Sequence, residues 1–238
     1  MSTAYERAAR EFARGIADDW QHRLGDRLLG VYFIGSLAHG GFSDRYSDID
    51  MGLTSEDGVT QAEIDAMRAH AKALAPALAA KLSLFWSDRG FAIGRFPPLD
   101  RLDYLDHAES LIERERARPP RPSLGNVRAY LSGQPLNAWR EQIARVTALP
   151  ALGDATRRTY IRALLYPARF LYSWETGRMA SNDDAVAFLH EQRQEGLDLD
   201  LIDRALACRR AERDPDALFA ERGKLAGQFA LCARIAEG

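Results

Sequence analysis

The chain has 238 residues, 46% of them apolar, and a net charge of −2. That length suffices for one large domain or two modest ones with real cores. The near-neutral charge argues against a broad nucleic-acid surface, which needs a basic excess to displace counterions, and no apolar run approaches the roughly 20 residues that span a bilayer. The opening MSTAYERAAREF is charged from the start and reads as no signal peptide. Cys208 and Cys232, the only cysteines, lie in helical patterns among apolar neighbours, which suits reduced thiols in a cytoplasmic protein.

In chain order, Thr3 and Glu6 have capping-box spacing, and Tyr5, Phe12, Ile16, Trp20 and Leu24 recur at near-helical intervals. This predicts an amphipathic first helix that covers a sheet. Leu28 to Ile34 is a continuous apolar run that reads as a doubly covered strand, and Asp48 to Thr54 is a second strand. Thr60 and Glu63 form another capping box, opening a helix whose stripe is Ile64, Met67, Leu74 and Leu78, with Pro76 bending its last turn. Leu82 to Trp86 is a third strand, and turns at Gly90 and at Gly94 to Pro98 flank a fourth. Leu99 to Arg118 reads as charged helix, broken by Pro119, Pro120 and Pro122. Beyond Ser123 there is no strand pattern. Helical stripes cover 127–149, 156–174, 183–192, 199–209 and 216–235, with Pro167 predicting a kink or break in the second. The expected fold class is α+β: a small mixed-sheet domain over residues 1–120, then an all-α bundle of about five helices over 121–238.

One stretch reads as chemistry. VYFIGSLAHGGFSDRYSDIDMGL, from Val31 to Leu53, is an apolar strand, Gly35-Ser36, eleven residues, then Asp48-Ile49-Asp50 on a second apolar strand. Side chains alternate along a strand, so Asp48 and Asp50 share a face about 7 Å apart. Two adjacent carboxylates require a cation or solvent to compensate them, and Mg²⁺ bridging to phosphates is the natural tenant. Gly35-Ser36 offers backbone N–H groups and a hydroxyl at a strand-to-helix turn, as phosphate sites do. Either half alone is common by chance, and Ser47-Asp48 alone would merely cap a turn. The conjunction is specific. A lone histidine in a glycine turn, such as His39, is more often a surface residue.

This stretch resembles the signature of the polymerase-beta-like nucleotidyltransferase superfamily. A second run, RALLYPARFLYSWETGRMASNDDAVAF, is similar to the helical domain of bacterial aminoglycoside adenylyltransferases of the streptomycin and spectinomycin type. The resemblance implies a nucleotidyltransferase. Gly35, Ser36 and Ser47 would lie at the triphosphate of ATP or another NTP, and Asp48 and Asp50 would hold two Mg²⁺ ions. AMP would pass to a hydroxyl of a small molecule, an aminoglycoside being the implied class, in a cleft between the domains. The family supplies a third carboxylate from a later strand, where this chain has Ser83. Asp88 is the nearest acid and the candidate replacement, with Asp100 and Asp103 more distant. Strand parity sets Asp88 on the face opposite Ser83 unless a bulge intervenes. In the helical region Asp183 matches an acidic position that contacts the aminoglycoside, whereas its companion four residues on is Ala187. Trp174 and Glu175 are candidates to line a cleft for a cationic sugar, and Arg204 and Lys224 to reach the triphosphate. Two alternatives stay open: a nucleotide-binding regulator of the same fold without turnover, and a transferase that modifies protein.

Overall fold

The computed structural model describes residues 3–238. The chain divides between Arg121 and Pro122 into two compact units, the first α+β and the second helical.

The first unit opens with α1 (Ala4–Leu24), where Thr3 Oγ1 accepts the Glu6 N–H at 2.9 Å. The reciprocal half of the predicted capping box is not made, because Glu6 pairs with Arg10 instead. The buried face is Ala9, Phe12, Ala13, Ile16, Ala17, Trp20 and Leu24. It lies on a five-stranded sheet whose first strand, β1 (Leu28–Phe33), is buried along its whole length. Next come α2 (Ser36–His39), β2 (Ile49–Ser55) and α3 (Gln61–Leu74). The Thr60–Glu63 capping box is complete.

Pro76 does more than bend that helix. Ala75 is forced into extended backbone at φ −155° and ψ 94°, as a residue before proline prefers. A separate short helix, α4 (Pro76–Ala79), starts on the proline. The interruption turns Leu74 out to 50% exposure, so the buried stripe is Ile64, Met67 and Ala71.

β3 (Leu82–Asp88) runs two residues beyond its expected end, and β4 (Gly94–Arg95) pairs with it. After α5 (Pro98–His107) the chain forms β5 (Glu109–Glu113) inside the stretch expected to be helical. ESLIE has no clean alternation and carries charges, as edge strands do. Its pairing with the open edge of β1, Gly30 to Glu113 and Phe33 to Glu109, decides its conformation. Strand order is β4-β3-β2-β1-β5, with β2 and β3 parallel and the other pairs antiparallel.

Alternation sorts the sheet into two faces. Val31, Phe33, Ile49, Met51, Leu53 and Leu84 pack with α1 and α3. Tyr32, Ile34 and Phe85 point the other way, into a cluster with Phe91, Phe96 and Tyr104. Tyr104 lies on α5 and stands edge-on to Tyr32 with centroids 5.0 Å apart. Thus α5 covers the face opposite α1.

The second unit comprises α6 (Leu124–Leu131), α7 (Gln134–Thr147), α8 (Asp154–Thr176), α9 (Asn182–Glu191), α10 (Leu199–Arg210), α11 (Asp216–Phe219) and α12 (Lys224–Glu237). Two expected helices are therefore split. Gly133 ends the run before Pro135, which sits comfortably in the first turn of α7. The Ala220–Gly223 turns separate α11 from α12. α8 is buried on most sides from Tyr160 to Ser173, where only Arg162 and Arg169 are exposed, and packs against α6, α7, α9, α10 and α12. Pro167 leaves it continuous. Tyr160 on α8 donates to the Leu218 carbonyl at 2.7 Å, which ties α11 to the central helix. Cys208 and Cys232 are buried and not joined in a disulfide. Among the described residues no helix is long and apolar enough to cross a membrane.

Thr60→Ala removes the hydroxyl arm of the α3 capping box, in which Thr60 Oγ1 accepts the Glu63 N–H at 3.2 Å and donates to the Glu63 carboxylate at 2.9 Å, and leaves the backbone N–H of residue 60 on Glu63. A loss of about 1 kcal/mol is expected, read as a lower urea midpoint at unchanged slope.

Candidate active site

β1 ends against β2 where the Ile34 N–H donates to the Asp50 carbonyl at 3.1 Å. The next residue, Gly35, has φ 64° and ψ −152°, a conformation that disfavours any side chain. Space is as restrictive as backbone. A Cβ on Gly35 would fall 3.0 Å from Asp50 Cγ and closer still to its Oδ2. The Gly35 carbonyl then accepts the N–H groups of Ala38 and His39, closing the single turn of α2 that begins with Ser36.

The loop back to β2 is held from inside. Ser47 is 5% exposed, and its Oγ accepts from the Ser43 N–H at 2.9 Å and from Ser36 Oγ at 3.0 Å. Ser43 in turn takes the Tyr46 N–H on its hydroxyl at 3.1 Å. The loop is also held from outside. Thr3 donates to Asp44 at 2.8 Å, Tyr5 stacks on Phe42, and Lys81 reaches the Asp44 carbonyl while lying 4.6 Å over the Tyr5 ring. Arg10 grips the Leu37 carbonyl at 2.6 Å and pairs with Glu109 on β5 at 3.0 Å.

Asp48 immediately precedes β2, and Asp50 is its second residue. Ile49 is fully buried in the α1 face, so Asp50, the next residue of the strand, turns toward the other side. The structure therefore brings Gly35, Ser36, Ser47 and Asp50 to one end of the sheet, with Asp48 beside them in the chain. Ser47 acts there as a buried fastener of the loop that orients Ser36.

Asp88 is not brought to this group. The parallel register sets Ser83 beside Asp50, and Asp88 stands five residues further along β3, roughly 16 Å away. Its carboxylate instead organises the turn into β4, accepting the N–H of Ile93 at 2.9 Å and of Gly90 at 3.3 Å. Burial pushes the Asp88 carboxyl up, but N–H donation from Ile93, Ala92 and Gly90 outweighs it and holds the group below the usual carboxylate range. β3 runs without a bulge to Asp88, so parity and distance both separate it from the pair.

The acid that does arrive comes from α5. Asp103 is 2% exposed and accepts the Gly35 N–H on Oδ2. That N–H is thereby removed from any phosphate, and Gly35 contributes its conformation rather than a donor. The sequence carried a signal for this residue: an aspartate between Leu102 and Tyr104, all three buried, needs a partner inside the protein.

In the helical unit the expected substrate contacts have partners of their own. Asp183 pairs with Arg210, and Glu175 lies 3.7 Å from Arg128. Trp174 is half-buried, stacked on Phe170 and covered by Arg128 at 5.3 Å. Arg204 and Lys224 share Glu221, each at 2.7 Å, which holds the Glu221 carboxyl down at about 2.

The chain shares its fold with an adenyltransferase. The crystal structure of the spectinomycin adenyltransferase from Enterococcus faecialis with ATP and spectinomycin matches with a TM-score of 0.63, over 93% of this chain and 99% of that one, at 12% identity. An identity that low establishes the architecture, a mixed-sheet unit followed by a helical one. No protein-family model and no curated protein matches the sequence.

The donors at the Gly35 end are carboxylates and hydroxyls, hard oxygens that suit Mg²⁺. Among the described residues no three His, Cys, Asp or Glu side chains form a ready-made cage. Mg²⁺ is usually held by one or two carboxylates together with substrate phosphates, so the residues present fit the ion.

Gly35→Ala is expected to destabilise the first unit by about 1–3 kcal/mol through backbone strain alone, seen as a lower melting temperature. Asp88→Ala should lower stability at pH 7. Because the folded carboxyl titrates below its unfolded value near 4, its contribution is full above that value and fades as pH falls through the depressed one. The difference from wild type should narrow in denaturation curves taken downward from about pH 4.

Proposed function

We propose that the protein is an ATP-dependent nucleotidyltransferase that moves AMP to a hydroxyl of a small molecule. The observation that carries this reading is the packing of Asp50 against the Gly35-Ser36 turn, in a fold shared with an enzyme crystallised with ATP. In this reading residues 1–120 are the catalytic domain and 121–238 the acceptor domain.

Ser36 meets the β- and γ-phosphates with its hydroxyl, whose rotor is free to donate to Ser47 or to a phosphate oxygen. Ser47, buried and fixed by Ser43, sets where that hydroxyl lies. Asp48 and Asp50 would hold Mg²⁺, which when bound neutralises phosphate charge and acts as a Lewis acid. The carboxylates and the turn then orient the triphosphate so that an acceptor hydroxyl faces the α-phosphorus in line with the departing pyrophosphate. Positioning and charge neutralisation are the main demands of phosphoryl chemistry.

The acceptor is taken as an aminoglycoside-type polyol because the structural neighbour was crystallised with spectinomycin. A second reading, a nucleotide-binding regulator without turnover, has one specific observation in its favour. The β3 position in register with Asp50 is Ser83, a hydroxyl that cannot take a proton at neutral pH as a carboxylate can.

Calorimetry with ATP and Mg²⁺, then pyrophosphate release over a panel including spectinomycin and streptomycin, tests both. Asp50→Asn should abolish Mg²⁺-dependent ATP binding and pyrophosphate release while the melting temperature stays close to wild type. Full activity in that variant would sink the site assignment. Tight Mg²⁺-dependent binding with no release on any acceptor would favour the regulator.

A further inference from the structure

Asp103 sits in the middle of α5 with 2% of its surface exposed. An aspartate so buried is almost always paired. Oδ2 accepts the Gly35 N–H, but Oδ1 is also buried and has no hydrogen-bond partner among the described residues. An orphaned buried carboxylate oxygen is rare and calls for a water or an ion to complete it.

Its location narrows the choice. Gly35 is wedged between two acids: its N–H touches Asp103, and the position of its missing Cβ abuts Asp50. With an N-to-Cβ span of about 2.5 Å, the two carboxylates lie within about 7 Å of one another. At that separation in a partly buried site each charge raises the cost of the other unless a cation stands nearby. Meanwhile the neighbouring strand brings no charge, since Ser83 is the residue beside Asp50.

We propose that Asp103 is the third acid of the nucleotide site. It is a positioning residue supplied by α5 whose negative charge, anchored on Gly35, strengthens divalent-cation binding at Asp48 and Asp50. This rests on the nucleotidyltransferase reading and assigns one of its residues. A purely structural Asp103 would serve only to accept an N–H, which a neutral amide oxygen also accepts, though more weakly. The two roles therefore separate on charge.

The test is Mn²⁺ binding by calorimetry to the full chain with α,β-methylene-ATP present, alongside melting in EDTA. Asp103→Asn should melt close to wild type yet bind Mn²⁺ about tenfold or more weakly, as expected for removing one nearby charge. Asp103→Glu should recover most of the affinity. Asp103→Ser replaces the Asn variant if that one does not fold. Unchanged Mn²⁺ affinity in a folded neutral variant would overturn the proposal, as would a loss that Glu does not rescue. Failure of both neutral variants to fold would also overturn it, since the carboxylate would then be serving the fold. If wild type itself binds neither Mn²⁺ nor the nucleotide, the nucleotidyltransferase reading falls, and this assignment with it.

Discussion

Gly35 carries a constraint on which the first unit's arrangement depends. It must turn the chain out of β1 with a positive φ, offer its N–H to Asp103, and leave the space of a side chain to Asp50. No other residue type meets all three conditions without strain. From that one position the acids of two separate elements, β2 and α5, are referred to the same backbone atoms. The Ser43–Ser47 hydrogen bonds then close the loop that returns to β2, so the hydroxyl of Ser36 and the carboxylate of Asp50 are presented on a rigid frame. In the proposed reading such a frame serves group transfer, where misplacement by an ångström is costly.

The helical unit is built on a different principle. Its centre is a single helix, α8, whose middle stretch is almost wholly buried, and the other helices are laid around it. Most of the charges that suggested ligand contacts are engaged inside this unit. Arg204 and Lys224 converge on Glu221, and Arg210 reaches Asp183. These are mostly exposed pairs, which contribute little to stability and exchange partners at small cost.

What could be read beforehand divides along physical lines. Apolar patterning made α1, β1, β2 and β3 legible, as a helical stripe in the first and as short apolar runs in the strands, because each pattern is written in the element's own residues. The Thr60 box and the Gly35-Ser36 turn were legible for the same reason: both depend on residues within a few positions of each other. β5 was not, since ESLIE carries no strand signal and becomes one only by completing the edge of β1. The full effect of Pro76 was missed although the rule governing Ala75 is local, and so was the break at Gly133 before Pro135.

For the candidate site, the sequence alone singled out one short segment with Gly35, Ser36, Ser47, Asp48 and Asp50, whose spacing and strand alternation limit them to one end of a sheet. It left the third acid open, with Asp88 preferred for nearness in the chain. Only the tertiary structure decides which acid meets the Gly35 turn. Register carries Asp88 roughly 16 Å down β3, into a turn of its own, while α5, packed by Tyr104 against the face that bears Asp50, delivers Asp103 to Gly35. Distance along the chain says nothing about which helix covers which face of a sheet, and that covering is what brings the buried acid to the turn.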